Sequence, residues 1–349
     1  MKKYSFVILS FITLISFCSF GQTFLVQVKT ESGKWGYANL KGELVIPAEF
    51  SNCEAFSENG LAVVVKNKMN VIINTKGEEI PTDINGFKII QGAFGFAPKG
   101  YEDGLLAVES NNKWGYLNAS GKIEIPLKYD YVTAFESGFA VASIGTKFFV
   151  LDKKGTEIPV TTLNVVELKH FSEGLAPVKT ADKKVGFING KGEIAIQPQF
   201  NSVGYFSGGY AWVKNSDEKV GFVNSKGEWV IKPAFEAASD FDPVSKVARV
   251  KEADTWLYTG AGGNKTYVKD TDVWGEFTDG LAKGKQLDKI GFYNSKGEWV
   301  IKPQFEAVRE FKNGYAAAKV DGKWGIIDGL GNWVIKPIFY GIKDVVRIK

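Results

Sequence analysis

One pattern governs this chain: the run Lys34-Trp35-Gly36-Tyr37-Ala38-Asn39-Leu40-Lys41-Gly42-Glu43-Leu44-Val45-Ile46-Pro47 returns, with variations, down its whole length. The opening lysine falls at Lys34, Lys68, Lys113, Lys147, Lys184, Lys219, Lys289 and Lys323, with a degenerate copy near Thr255. Most steps are 34 to 37 residues, the length of one supersecondary unit. Such a unit cannot bury its apolar face alone, so neighbours must share a core. Length alone would suggest two domains. The repeat predicts one array from residue 22 to 349, built from about nine units, with an insertion at 83–103 and a degenerate unit at 254–288.

The local chemistry of a unit follows from its residues. Trp35-Gly36-Tyr37-Ala38 and Glu43-Leu44-Val45-Ile46 read as strands, and Asn39 with Gly42 between them reads as a type I turn closed by a glycine at positive φ. The pair recurs at Asn74/Gly77, Asn118/Gly121, Asp152/Gly155, Asn189/Gly192, Asn224/Gly227, Asn294/Gly297 and Asp328/Gly331, and as Thr259/Gly262 in the degenerate copy. A proline then follows, as at Pro47, Pro126 and Pro233, and is expected to stop the second strand because it cannot donate to a ladder. Beyond it stand an aromatic and a third apolar run such as Phe56-Ser57-Glu58-Asn59-Gly60-Leu61-Ala62. Each unit is therefore expected to be a three-stranded antiparallel meander, and the fold class all-β. Nine uneven three-stranded units fit an open superhelical array better than a propeller-like closed ring. Pairing of Phe24–Val28 with Val345–Ile348 would close the ring and reverse that preference.

Lys-Trp-Gly at 34–36, 113–115 and 323–325, with Lys-Gly-Glu at 41–43, 76–78, 191–193, 226–228 and 296–298, resembles the bacterial WG-repeat (KWG repeat) family. The resemblance implies export or surface association and a binding-type role, and it brings no catalytic residues. The chain departs from the motif at Met69-Asn70, Phe148-Phe149, Val185-Gly186, Val220-Gly221, Trp256-Leu257 and Ile290-Gly291. Trp, Val, Phe, Ile and Met share size and apolarity alone, so the first motif position is expected to be a buried plug.

Met1-Lys2-Lys3, the apolar stretch Tyr4–Phe20 and the small residues of Ser19-Phe20-Gly21 read as an export signal over 1–21, cleaved before Gln22. That stretch is short and interrupted for a membrane anchor, so no span is expected after cleavage. Cys18 is poorly set for lipidation, since Phe17 stands where a small residue is wanted. The destination expected is periplasmic, cell-surface or secreted. Mature chains would keep Cys53 alone and form no internal disulfide. The formal net charge of +4 includes two lysines of the signal, which argues against nucleic acid as a partner.

Chemistry has few candidates. His170 is the single histidine, and Ser172 beside it is the ordinary joint residue found again at Ser57 and Ser207. No His/Cys cluster exists to hold zinc. Asp240-Phe241-Asp242 and Asp270-Thr271-Asp272 lack the loop that makes calcium a strong assignment, and no glycine-rich phosphate loop leads into a helix. No catalytic residue, metal or cofactor is therefore expected. A carboxylate-pair glycoside hydrolase is the enzyme class composition leaves open, although Glu43, Glu78, Glu193, Glu228 and Glu298 simply flank turns. Binding is expected where the array is unlike itself. The insertion carries Phe87, Phe94, Phe96 and Tyr101; the degenerate unit carries Trp256, Tyr258, Tyr267 and Trp274; and Trp229, Trp299 and Trp333 stand after hairpin turns where earlier units have Leu44, Glu79 and Glu157. Trp229, Trp256, Trp274, Trp299, Trp333 and Tyr101 are the candidate binding residues. The function read from these features is an exported scaffold that recognises a protein or an envelope glycan through its repeat surface, with a purely structural envelope protein as a further alternative.

Overall fold

The computed structural model describes residues 23–90, 100–161, 164–268, 270–272 and 274–348; the expected signal, Cys18, Phe94 and Phe96 lie outside the described residues. All regular structure in the described residues is β. The strands form nine antiparallel sheets, eight of four strands and one of five, which we call blades 1 to 9 in chain order. Blade 6 is typical: Ser202–Val203, Tyr210–Lys214, Val220–Asn224 and Trp229–Phe235 lie side by side in that order. The expected meander is present, and a fourth strand hides in the joint that precedes it. Only two residues long in most blades, that strand is too short to carry a period.

The ring is closed, which overturns the expected open array. Strand Gly341–Ile348 pairs antiparallel with Thr23–Lys29, from Thr23 against Ile348 to Lys29 against Gly341, with one bulge between Val26 and Val28. The C-terminus thereby supplies the joint strand that blade 1 lacks. Val26 and Val28 of blade 1 pack with Ala317, Ile326 and Ile335 of blade 9, so this seam has the same kind of core as the others. Elsewhere too the core lies between neighbours, as where Val141 and Val150 of blade 4 meet Leu168, Phe171 and Val178 of blade 5. With four strands per unit and both termini in one sheet, the blades need no open end.

The hairpin turns form as the residues require. Asn39 Oδ1 accepts the N–H groups of Lys41 and Glu43, its Nδ2 donates to Glu43 Oε2, and Gly42 donates to Asn39 O at φ 82°. In the degenerate unit the turn sits one residue later than expected, with Gly263 at positive φ and donating to Gly260 O. Proline, however, does not stop the outer strand in six blades. Leu44–Phe50, Ile123–Tyr129, Ile194–Phe200, Trp229–Phe235, Trp299–Phe305 and Trp333–Phe339 each run through it. As an edge strand, the outer strand can carry a proline where it bulges. The register shows that bulge, since Trp35 faces Phe50 while Tyr37 faces Ile46.

The motif glycine makes room for it. A Cβ at Gly36 would lie 2.6 Å from Ile46 O and 2.8 Å from Ala48 N, and one at Gly115 would lie 2.5 Å from Ile125 O and 2.8 Å from Leu127 N. The motif Trp is a different matter. Val185 and Val220 are buried there as expected, but Trp35, Trp114 and Trp324 are only half-buried and Met69 in the same place is 53% exposed, so the position is a plug in blades 5 and 6 alone. Two residues on, Tyr37, Tyr116, Phe187, Phe222, Tyr258 and Phe292 are fully buried and take that role. Tyr37 and Tyr116 also donate their hydroxyls at 2.7 Å to Glu54 O and Thr133 O, backbone atoms in the joint of the next blade.

Candidate functional site in the central channel

The candidate aromatics do not form one strip. Trp229 and Trp333 are 42% and 36% exposed, yet each lies edge-on to the last residue of the preceding blade's outer strand, Phe200 and Phe305, at 5.9 and 5.8 Å. Trp299 stands against Tyr293 of its own blade at 5.4 Å. Blade 7 has no tryptophan at this place, so on the outer rim Trp229 is set apart from Trp299 and Trp333 of the adjacent blades 8 and 9. Tyr101 is 3% exposed and donates to Asn118 O at 3.0 Å, and Phe87 is buried with it between blades 2 and 3. Trp256 and Trp274 are brought together through Arg249, whose guanidinium lies 4.6 Å from the Trp256 ring centroid and donates to Trp274 O at 2.5 Å.

Arg249 leads inward, because its other arm meets Glu276 at 2.9 Å on the wall of the channel. The joints supply that wall. Each joint buries an aromatic or valine: Phe56, Tyr101, Phe135, Phe171, Phe206, Phe241, Phe277, Phe311 and, in blade 1, Val345. The residue just before it stands at the channel, and from blade 2 round to blade 1 these are Ala55, Gly100, Ala134, His170, Tyr205, Asp240, Glu276, Glu310 and Asp344. Asp240, Glu276, Glu310 and Asp344, from four consecutive blades, line one cavity of ≈ 720 Å³. A second cavity of ≈ 760 Å³ joins Glu102 of blade 3 to Lys312 of blade 9 and Arg347 of blade 1. Opposite charge lies close to most of the acids: Lys283 meets Glu310 at 3.3 Å, and Arg309 and Lys312 meet Asp344 at 3.9 Å each.

The two arcs of the wall differ in chemistry. Asp240 is open to channel water but enclosed by protein, and that enclosure, with Glu276 beside it, pushes its carboxyl up to about 6. On the other arc His170 of blade 5 stacks on Tyr205 of blade 6, centroids 4.0 Å apart and planes 21° apart. Burial, assisted by Lys169, pulls the imidazole pKa down, so the ring is neutral at pH 7. Tyr131 of blade 4 is 46% exposed and shares a cavity of ≈ 190 Å³ with Ala134, Glu136 and His170.

The joint serine and acid serve the ring itself. Ser172 and Ser207 donate to Phe206 O and Phe241 O of the next blade at 2.8 and 2.6 Å. Glu173 accepts from Gly208 and Gly209, Asp103 from Gly138, and Asp279 from Gly314, all between 2.7 and 2.9 Å. These are charge-assisted latches between neighbouring blades. Among the described residues, no group of three or more His, Cys, Asp or Glu is placed to hold a metal ion.

A family model described as "WG containing repeat" matches residues 35–69, 114–148, 186–219, 221–256, 290–324 and 324–346, more than half of the chain. The chain belongs to the WG-repeat family. Each matched segment begins at the third strand of a blade whose outer strand is long, in blades 1, 3, 5, 6, 8 and 9. No curated protein matches this WG-repeat chain. Among solved structures, a eukaryotic initiation factor is similar at 11% identity and TM-score 0.61, over 94% of this chain and 98% of that one. BamB from Moraxella catarrhalis matches at 10% identity and TM-score 0.39, over 84% and 92%, and Hsv2 from Kluyvelomyces marxianus at 9% and 0.40, over 69% and 95%. The first of these likenesses supports the β-propeller fold of the WG-repeat ring and says nothing of its ligand.

Of the candidate aromatics, Tyr101 lines a channel cavity, whereas Trp229, Trp299 and Trp333 stand at the start of outer strands on the rim. The signal was present one residue before each joint aromatic, at 34- to 36-residue intervals from Gly100 to Asp344. Reading that column alone shows small residues, then rings, then acids.

Proposed function

We propose that this WG-repeat propeller is an exported, non-catalytic scaffold that binds an envelope component, protein or glycan, at the mouth of its central channel. One observation carries the reading: the blades share a backbone but differ systematically in the residue they turn to the channel, with rings on blades 5 and 6 and carboxylates on blades 7, 8, 9 and 1. A ring built only for architecture has no need of such sorting. Export is supported by the n-region, apolar stretch and small-residue site of residues 1–21. The outer indoles are assigned to seam packing.

The test is capture from envelope extract by immobilised wild type, a channel variant (Tyr131→Ala with Glu310→Gln) and a rim variant (Trp229→Ala with Trp333→Ala). Loss of specific capture in the channel variant, with the rim variant unaffected, is the expected result. The reverse pattern would refute the channel as the site.

A second reading, hydrolysis of a glycoside by a carboxylate pair, is favoured by Asp240, whose raised pKa suits a general acid and whose cavity also holds Glu276. Release of reducing sugar from oligosaccharides by wild type, abolished in Asp240→Asn, would establish it. Absence of turnover with bound oligosaccharide present would leave the binding scaffold.

A further inference from the structure

We infer that the aromatic arc of the channel is a stacking subsite for one neutral hexopyranose ring of an extended glycan, an inference that rests on the channel reading above and narrows it. Tyr131, His170 and Tyr205 come from three consecutive blades, so the ring of the propeller fixes their relative positions. The near-parallel stack of His170 on Tyr205 ties the two side chains into one rigid unit, and the Tyr131 ring is half open to the channel beside it. The small residue of blade 4, Ala134, adjoins a cavity of ≈ 190 Å³ that Tyr131 and His170 line, with Tyr205 outside it backing His170, and with Glu102 and Glu136 at its edge.

A pyranose has an apolar C–H face and a rim of hydroxyls. Aromatic planes receive the first and carboxylate oxygens accept hydrogen bonds from the second. Other ligand classes match less well. An anionic ring would meet Glu102 and Glu136, and a purely apolar side chain would leave those carboxylates desolvated and unanswered. Neutrality of the His170 imidazole at pH 7 keeps the platform itself free of charge. The cavity is of the order of one ring in size, so neighbouring units of the glycan would extend along the channel.

Saturation-transfer NMR and titration calorimetry on the full mature chain, with cellotetraose, chitotetraose and N-acetyltryptophanamide as probes, test the assignment. The expected result is binding of at least one tetrasaccharide, weakened about tenfold by Tyr131→Ala and by His170→Ala. Tyr131→Phe, which keeps the ring, should bind within about threefold of wild type, and Trp229→Ala should bind as wild type. Melting curves identify any variant whose loss reflects unfolding; Tyr131→Phe against His170→Ala then carries the comparison. Binding of N-acetyltryptophanamide alone, no tetrasaccharide binding at about 10 mM, or wild-type affinity in both alanine variants would overturn the sugar subsite. If the sugars fail while the channel variant still loses envelope capture, the channel reading stands and the glycan assignment falls; if both fail, both fall.

Discussion

Six blades of this ring end in a seven-residue outer strand, whereas in blades 2, 4 and 7 the same strand is Glu79–Ile80, Glu157–Pro159 or Lys265–Thr266. The difference tracks one residue. Where the third strand carries the motif glycine, the outer strand kinks inward at its proline, continues past it and buries Phe50, Tyr129, Phe200, Phe235, Phe305 or Phe339. Blades 2, 4 and 7 have Asn70, Phe149 and Leu257 in that place; pairing ends early in blades 2 and 7, and in blade 4 it passes Pro159 without a bulge and reaches only Val160, whose N–H donates to Phe148 O at 3.0 Å. Proline is still present in blades 2 and 4, as Pro81 just beyond the strand and Pro159 at its last position, so proline alone does not make the long strand. The glycine of the WG pair is thus a docking place for the backbone of the neighbouring strand, and the tryptophan before it is the more replaceable partner. The motif marks how a blade ends and carries no chemistry of its own.

The strongest way to break this comparison is to put a side chain on the glycine. Gly115→Ala places a Cβ 2.5 Å from Ile125 O, which forces the outer strand off, and we expect a loss of about 3 kcal/mol or failure to fold. Asn70→Ala, at the matching position of blade 2, removes only the hydrogen bond from Asn70 Nδ2 to Phe87 O and should cost about 1 kcal/mol. Urea unfolding of the two variants measures both, and equal losses would sink the account of the motif. Next in size is the seam indole found in blades with the long strand. Trp229→Ala removes its edge contact with Phe200; with the ring partly in water, a loss of about 1 kcal/mol is expected by the same measurement.

The smallest effect lies at the inner end of the blades, where they differ in charge and not in backbone. With its folded pKa raised to about 6, Asp240 binds a proton more tightly in the native state than in the unfolded chain. Stability therefore falls as pH rises from about 4 through 6 and is lowest, for this group, above it. Because Asp240 is open to water, Asp240→Asn should melt only about one degree above wild type at pH 7, and the two curves should converge near pH 4. Identical differences at both pH values would show that Asp240 titrates normally.

Much of the fold was legible in the residues. The spacing of lysines, Asn39/Gly42 and its copies gave the units and their hairpins, and Phe24–Val28 with Val345–Ile348 were visible as the segments able to close a ring. What stayed hidden was short or non-periodic: strands such as Asn52–Cys53 have no alternation to read, and an edge strand that passes through Pro47 looks, in sequence, like one that stops there. The candidate site was less legible. Trp229 and Trp333 stand where other units carry glutamate, which fits their exposure, but their edge contacts to Phe200 and Phe305 depend on which blades are neighbours. Asp240, Glu276, Glu310 and Asp344 are 34 to 36 residues apart in the chain, and only the curvature of successive blades about one axis brings them to one cavity.

The central claim is that ligand recognition sits in the channel and not on the rim. Incorporation of the photocrosslinker benzoylphenylalanine in place of Tyr131 or, separately, of Trp333, followed by irradiation in the native cell, tests it most directly. The account predicts a specific adduct from position 131 and none from position 333. An adduct from position 333 with none from 131 would contradict it.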